Sequence, residues 1–169
     1  YAWVPRMETY HGVLSLDHAL EGSLVVGEDT IDWEDGRGYT EKDWGRAFPS
    51  AWVWLQSNHF ATRGTSLMVS VATVPWVGAR MTGVIAGLWH NARLHRLATY
   101  TGARLHVLTD DGQQLRLVIR DLRLQLEIVA QRGPARGVLR GPSGVDMGVL
   151  VPEGLLGTLD VTLWRRGAR

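Results

Sequence analysis

Hydrophobic and polar residues alternate along most of this chain, which is the pattern of β-strands that bury one face. Leu115, Leu117 and Ile119 form one alternating run, and residues 122–128 form another in the opposite phase. Because a shift of one residue moves every side chain to the other face, we predict a bulge or bend at Arg120 and Asp121. Further strands are predicted at residues 10–18, 24–26, 30–33, 51–60, 65–74, 80–89, 92–100, 105–107 and 157–164.

Turn-forming residues separate these strands at short intervals. Asp110-Asp111-Gly112 predicts a hairpin turn, and Gly27-Glu28-Asp29 predicts another. Residues 133–144 are rich in glycine and proline and are predicted to form a loop, whereas residues 48–50 are predicted to form one helical turn. The predicted fold is all-β and antiparallel. A barrel is preferred over a sandwich, because closure removes sheet edges and about eight strands enclose one small ligand.

Composition narrows the range of partners. The 169 residues suit one domain, 1–169, and 18 Lys and Arg against 17 Asp and Glu leave a net charge of +1. This charge gives no broad field for nucleic acid, so we expect no nucleic-acid partner and at most peripheral membrane contact. The lack of cysteine excludes disulfides and thiolate chemistry. Without a long apolar stretch, we expect a cytoplasmic protein. The start at Tyr1 suggests a fragment or processed product.

Aromatic and amide side chains share one face of the strand predicted at 51–60. We expect this even-numbered face to point into the barrel and the odd-numbered face to point outward or against another domain. A buried amide without a partner costs about 1–3 kcal/mol, so Gln56 and Asn58 need partners, either in a ligand or in neighbouring strands. The residues of the even-numbered face are Trp52, Trp54, Gln56, Asn58 and Phe60.

The charged run Glu41-Lys42-Asp43 is predicted to form a partly buried junction rather than a free surface segment. It directly precedes Trp44, and Phe48 follows closely, so the charges should lie against aromatic side chains. A carboxylate in such surroundings needs a cation or backbone amides. The expected cation is an arginine from a distant strand, such as Arg93, Arg96 or Arg116. A purely structural ion pair remains the alternative to a catalytic role.

The same region carries a resemblance to a known family. The run Gly36 to Gly45, followed by Phe48-Pro49 and by the alternating Trp52 to Phe60, resembles the signature region of the tocopherol cyclase-like family. Weaker similarity extends from "GVLSLDHALEGSLVV" to the final "GTLDVTLW". The resemblance implies a lipocalin-like barrel that handles isoprenoids or other lipids. It also implies an additional amino-terminal domain as a partner, so that this chain is the carboxy-terminal part of a longer protein.

The chemistry that this resemblance implies is cofactor-free closure of a chromanol ring. A prenylquinol adds its phenolic oxygen across the nearest double bond of its side chain, which requires an acid in a pocket that excludes water. Asp43 and Glu41 are the candidate acids. The candidate substrate-binding residues are Trp44, Trp52, Trp54, Gln56, Asn58 and Phe60. Hydration of an isoprenoid, a non-catalytic lipid carrier and a purely structural domain are the alternatives.

Other catalytic classes find little support in the sequence. The six histidines show no close metal-ligand spacing, so no metal site is expected. The serines lie outside any Gly-x-Ser-x-Gly motif. His90 follows an apolar strand and is either a proton-transfer residue or a hydrogen-bonded turn residue, and the second reading is favoured.

Overall fold

The computed structural model describes residues 7–76 and 78–167, and in this part of the chain the fold is all-β. The fourteen strands β1 to β14 are, in order, Thr9–Ala19, Ser23–Val26, Asp29–Asp32, Arg37–Gly45, Trp52–Ser57, Ser66–Trp76, Ala79–His90, Arg93–Ala98, Arg104–Asp110, Gln114–Arg120, Leu124–Gln131, Ala135–Ser143, Asp146–Leu155 and Thr158–Arg165. A short 3-10 turn at Thr99–Thr101 is the one helical element among the described residues. The predicted fold class is confirmed at this level.

The strands pair into two four-stranded antiparallel sheets and three two-stranded ribbons. One sheet has the order β5-β6-β7-β8, and the other has the order β14-β11-β10-β9. The ribbons are β1–β4, β2–β3 and β12–β13. Over the described ranges no sheet closes on itself, so the predicted lipocalin-like barrel is not confirmed. Alternation of hydrophobic residues identifies a buried face, but it does not specify which strands pair at the ends of a sheet.

The hydrophobic core combines residues from both four-stranded sheets. Leu67 and Val69 of β6 belong to the same buried cluster as Leu117 of β10 and Ile128 of β11. Ile128 alternates with the less buried Glu127 and Val129, as a period of two requires. Packing of this kind supplies most of the favourable free energy of folding, because it removes apolar surface from water.

The predicted orientation of β5 is wrong. Its odd-numbered residues Val53 and Leu55 pack against the core, whereas Trp52 and Trp54 are each 39% exposed. Aliphatic side chains carry no polar atoms into the dry space between the sheets, while an indole N–H needs a hydrogen-bond partner. Phe60 lies beyond the end of the strand and packs against the core.

Both predicted hairpin turns are confirmed, and the phase change at Arg120 and Asp121 has a simple cause. The chain reverses there through a tight turn, in which the Asp121 carboxylate accepts hydrogen bonds from the backbone N–H groups of Arg123 and Leu124, each at 2.6 Å. β10 and β11 then pair antiparallel, with Arg120 opposite Gln125. The two alternating runs are therefore separate strands rather than one bulged strand. Leu122, at the turn, is 93% exposed.

Two local predictions are wrong. Residues 135–143 of the predicted loop form strand β12, which pairs with β13. Residues 48–50 form no helical turn, and the ring of Phe48 instead stacks on Trp52 with 4.9 Å between ring centres. Gly141 of β12 permits Phe48 to pack against this strand, because a Cβ atom there would overlap the ring. The glycine is thus a close-packing position inside a strand rather than a loop residue.

Candidate functional site

The charged run lies on β4, where pairing with β1 gives it a cation. His11 is directly opposite Asp43, and Glu41 is two residues along on the same face of the ribbon. His11 Nδ1 lies 2.5 Å from Asp43 Oδ1, and His11 Nε2 lies 3.6 Å from Glu41 Oε2. The carboxylates therefore meet a histidine, and the prediction of an arginine partner is wrong.

None of the three arginines proposed as partners pairs with Glu41 or Asp43, although Arg96 lines the same cavity as His11. Arg116 pairs with Glu127 at 2.7 Å, and the guanidinium of Arg96 lies 5.8 Å from the centre of the Tyr100 ring. Arg93 is exposed at the start of β8. The register of the β1–β4 ribbon places His11 beside the two carboxylates. This register cannot be inferred from the sequence, so the sequence did not identify His11 as the partner.

Burial differs between the members of the charged run. The Glu41 side chain is 17% exposed, whereas that of Asp43 is 50% exposed. Lys42 is exposed, and its Nζ lies 5.5 Å from the centre of the Trp44 ring. The predicted partly buried junction is confirmed for Glu41 but not for Lys42 and Asp43, which are exposed.

Glu41 is also the acceptor for two aromatic donors. Its Oε2 accepts a hydrogen bond from the hydroxyl of Tyr39 and another from Trp54 Nε1 at 3.3 Å. The second bond joins the even-numbered face of β5 to the β1–β4 ribbon. The even-numbered face thus contributes to the candidate site even though it points away from the main core.

These contacts change the protonation of His11 and Tyr39. Burial by itself lowers the pKa of His11, but the hydrogen bond to Asp43 and the negative charges of Asp43 and Glu41 outweigh it, so the net pKa is raised above 6.5. Burial, followed by the hydrogen bond to Glu41, raises the pKa of the Tyr39 hydroxyl well above its ordinary range. Tyr39 therefore remains a donor, and His11 holds its second proton to higher pH than a free histidine.

The raised pKa of His11 predicts how stability depends on pH. Folding favours the protonated imidazolium, so this contribution is fully present below about pH 6.5 and is lost as pH rises through the folded-state pKa. We expect the difference in free energy of unfolding between the wild type and His11→Gln to shrink as pH rises from about 6 to 9. Urea denaturation at each pH measures it, and a difference that stays constant or grows would contradict this assignment.

A cavity of about 330 Å³ adjoins this cluster. Its walls come from β1 and β4 on one side and from β6, β7 and β8 on the other, and the volume is in the range of small-molecule sites. Tyr10 and Trp44 stack at its rim, with ring centres 5.5 Å apart and planes 13° apart. The wall residues used below are Tyr10, His11, Trp44, Met68, Ile85 and Leu94.

The predicted substrate-binding residues fall into three groups. Trp44 lines the cavity, and Trp54 reaches the acid cluster through Glu41. Gln56 Nε2 is buried and has no hydrogen-bond partner among the described residues. Asn58 instead donates from Nδ2 to the backbone oxygen of Arg37 at 3.1 Å, which is the structural alternative. Of the six, Trp44 is the one that lines the cavity, while Trp52 stacks on Phe48 and Phe60 packs on the core.

His11 and Tyr39 are the site residues that the sequence did not reveal. His11 reaches the cluster from the opposite strand β1, and Tyr39 reaches it from further along β4. Neither therefore forms a recognisable sequence motif with Glu41 and Asp43. Ligand-type atoms of His11, Glu41 and Asp43 all lie within 4.8 Å of one another, a separation that also suits a metal ion. The expectation that the protein needs no metal stays a prediction.

His90 has the structural role favoured for it. Its Nδ1 lies 2.9 Å from the hydroxyl of Thr65, in a bond between the end of β7 and the residue before β6. This bond accounts for one of its ring nitrogens without a role in proton transfer.

Within residues 7–76 and 78–167, no helix has the length and apolar character needed to cross a bilayer.

Comparison with known proteins adds one finding to this geometry. The family model described as tocopherol cyclase-like matches residues 10–169, which includes the β1–β4 ribbon, β5 and every wall of the cavity. No curated protein and no solved structure gives a significant match. Since the match covers nearly the whole chain, this protein belongs to the tocopherol cyclase-like family.

Proposed function

We propose that the protein converts a prenylated quinol or related isoprenoid by cofactor-free acid catalysis, through cyclisation or hydration of a double bond. The observation that carries this proposal is the position of His11, which lines an aromatic and aliphatic cavity while its imidazole is paired with two carboxylates. A protonated group beside apolar walls is what proton transfer to an alkene requires.

The apolar part of the substrate would lie against the aliphatic wall. Met68, Ile85 and Leu94 supply that wall, and burial of an isoprenoid chain there is favourable because it removes apolar surface from water. The polar ring would lie toward His11, and Gln56, which is opposite the wall residue Met68, would donate from Nε2 to a quinol oxygen. In this proposal the ligand binds in the space between the β1–β4 ribbon and the β5–β8 sheet, as a ligand would bind inside a lipocalin-like barrel.

In ring closure, the His11 imidazolium would give its Nε2 proton to one alkene carbon. The phenolic oxygen would then form a bond to the other carbon, and the phenolic proton would pass to the carboxylate of Glu41. Because Glu41 Oε2 lies 3.6 Å from His11 Nε2, the proton would return to the imidazole, and the reaction is balanced as an isomerisation. Asp43 would hold the ring from Nδ1.

Aromatic faces would stabilise the positive charge that develops on the tertiary carbon. The ring of Trp44 and the ring of Tyr10 stack at the cavity, and an aromatic face attracts a nearby cation by about 0.5–2 kcal/mol. The same surroundings would exclude water and so favour ring closure over hydration.

A non-catalytic lipid carrier is the second candidate. The buried Nε2 of Gln56 has no hydrogen-bond partner among the described residues, which favours a carrier, because a polar group of a ligand would satisfy it without any reaction. Ligand binding alone does not require proton transfer from the His11–carboxylate cluster.

The test is incubation of the protein with a prenylquinol in heavy water. Cyclisation is expected to give a product that carries one new carbon-bound deuterium, since the alkene takes its proton from an exchangeable group. Hydration would also place one deuterium on carbon but would add the elements of a whole molecule of heavy water, so its product is heavier than the cyclised one. Mass spectrometry and chromatography separate these products, and heat-denatured protein is the control. Saturable quenching of tryptophan fluorescence without any product would favour the carrier and contradict catalysis.

A further inference from the structure

The β12–β13 ribbon carries an exposed apolar face that also bears two arginines. Val138 lies opposite Pro152, and Arg140 lies opposite Leu150, so these four residues point to the same side, together with Arg136 two residues before Val138. We call this set the hairpin face. Val138 and Leu150 are 64% and 60% exposed. Exposed apolar groups of this size, when contiguous, mark interaction surfaces.

The ribbon is held in place by contacts near its turn. Ser143 forms an isolated antiparallel bridge with Ala47, and the backbone N–H of Gly144 donates to the backbone oxygen of Arg46 at 3.0 Å. Gly141 lies against the ring of Phe48. The hairpin face therefore belongs to an anchored element, and its exposure is not that of a free loop.

The charges of the hairpin face have one sign. Among the described residues neither Arg136 nor Arg140 forms an ion pair, whereas Arg37 is paired with Asp17 in the β1–β4 ribbon. The acidic residues of the ribbon lie elsewhere. Glu153 is opposite Gly137, on the other side, and Asp146 is at the turn.

A second exposed ribbon provides a contrast within the same chain. In β2–β3, Leu24 is opposite Ile31, and both are exposed, but their neighbours are Glu28, Asp29 and Asp32. That ribbon would be repelled by an anionic surface. The two ribbons thus match in apolar exposure and differ in charge.

We propose that the hairpin face docks on a bilayer that contains anionic phospholipids. Arginine suits this surface, because its aliphatic stem lies along apolar groups while the guanidinium reaches the phosphates. Val138 and Leu150 would enter the interfacial layer between the two arginines. The ring of Phe48 packs against Gly141 on the opposite side of the ribbon, so docking of the hairpin face would leave this anchoring contact in place.

The test is co-sedimentation with vesicles of phosphatidylcholine alone and of phosphatidylcholine with phosphatidylglycerol. We expect binding to the mixed vesicles that falls with added salt. The double substitution Arg136→Gln and Arg140→Gln is expected to weaken it about 30-fold, since each arginine near an anionic surface contributes about 1 kcal/mol. The matched control is Arg93→Gln with Arg123→Gln, two exposed arginines outside the ribbon.

The apolar contribution has its own matched pair of variants. Val138→Ser with Leu150→Ser should reduce vesicle binding, whereas Leu24→Ser with Ile31→Ser should leave it unchanged. Equal binding to both kinds of vesicle, or equal loss in the variants and their controls, would overturn the proposal. A concentration-dependent dimer that Val138→Ser with Leu150→Ser abolishes would also overturn it, because a second copy would then cover the face. Vesicles without quinol keep this test independent of the proposed catalysis.

Discussion

Replacement of His11 by glutamine is expected to reduce prenylquinol conversion by about 10²–10⁴-fold, the usual contribution of a positioned general acid. Glutamine keeps hydrogen-bonding capacity next to Asp43 and Glu41 but carries no transferable proton in this pH range. The His11 side chain lines the cavity and is the proposed proton donor to the alkene. The substitution therefore removes the proposed acid. Initial rates of product formation, measured on folded protein of matched concentration, check the prediction.

The control for this variant is His106→Gln, because His106 is exposed on β9 and lies outside the cavity. Asp43→Asn separates the role of the carboxylate from that of the imidazole. Loss of the Asp43 charge should lower the pKa of His11, so activity should fall first at the alkaline end of the pH–rate profile. Unchanged turnover in His11→Gln, or equal losses in His106→Gln, would remove His11 from the proposed mechanism.

Replacement of Leu117 by alanine is expected to lower the free energy of unfolding by about 2–5 kcal/mol. Leu117 is fully buried in the cluster shared by the two four-stranded sheets, and it lies between Leu108 and Ile128 on the neighbouring strands. The loss combines the transfer free energy of the deleted atoms with the cavity that they leave. Urea denaturation with far-UV circular dichroism measures it.

The matched control is Leu122→Ala, the same chemical change five residues along the chain. Leu122 is 93% exposed at the turn between β10 and β11, so its truncation should change the free energy of unfolding by less than about 0.5 kcal/mol. Similar effects of the two substitutions would show that the assignment of the core to the space between these sheets is wrong.

The sequence predicted most of the strands because their signal is local. In β9, β11 and β14, burial alternates from one residue to the next, as the hydrophobic pattern of the sequence predicts. It failed for β12, where Gly137 and Gly141 lie inside a strand that had the composition of a loop. At Gly141 the reason for glycine is a contact with Phe48, which is distant in sequence and leaves no local trace.

The candidate site was predicted in part. Glu41, Asp43, Trp44 and Trp54 were identified as site residues, and the structure brings them to one ribbon and its neighbouring strand. Their roles as acids or ligand contacts stay predictions. The direction of the β5 side chains was wrong, because alternation defines two faces without saying which one meets the larger core.

By itself the sequence determined that this protein is all-β, where most of its strands lie, and which family motif it carries, because each of these depends on residues within a few positions of one another. Only the tertiary structure decided that His11 joins Glu41 and Asp43, that Gln56 lacks a partner among the described residues while Asn58 has one, and which sheets enclose the core. These features depend on strand register and pairing. A register brings together residues 30 or more positions apart, and its free energy comes from the packing of whole sheets rather than from any short segment.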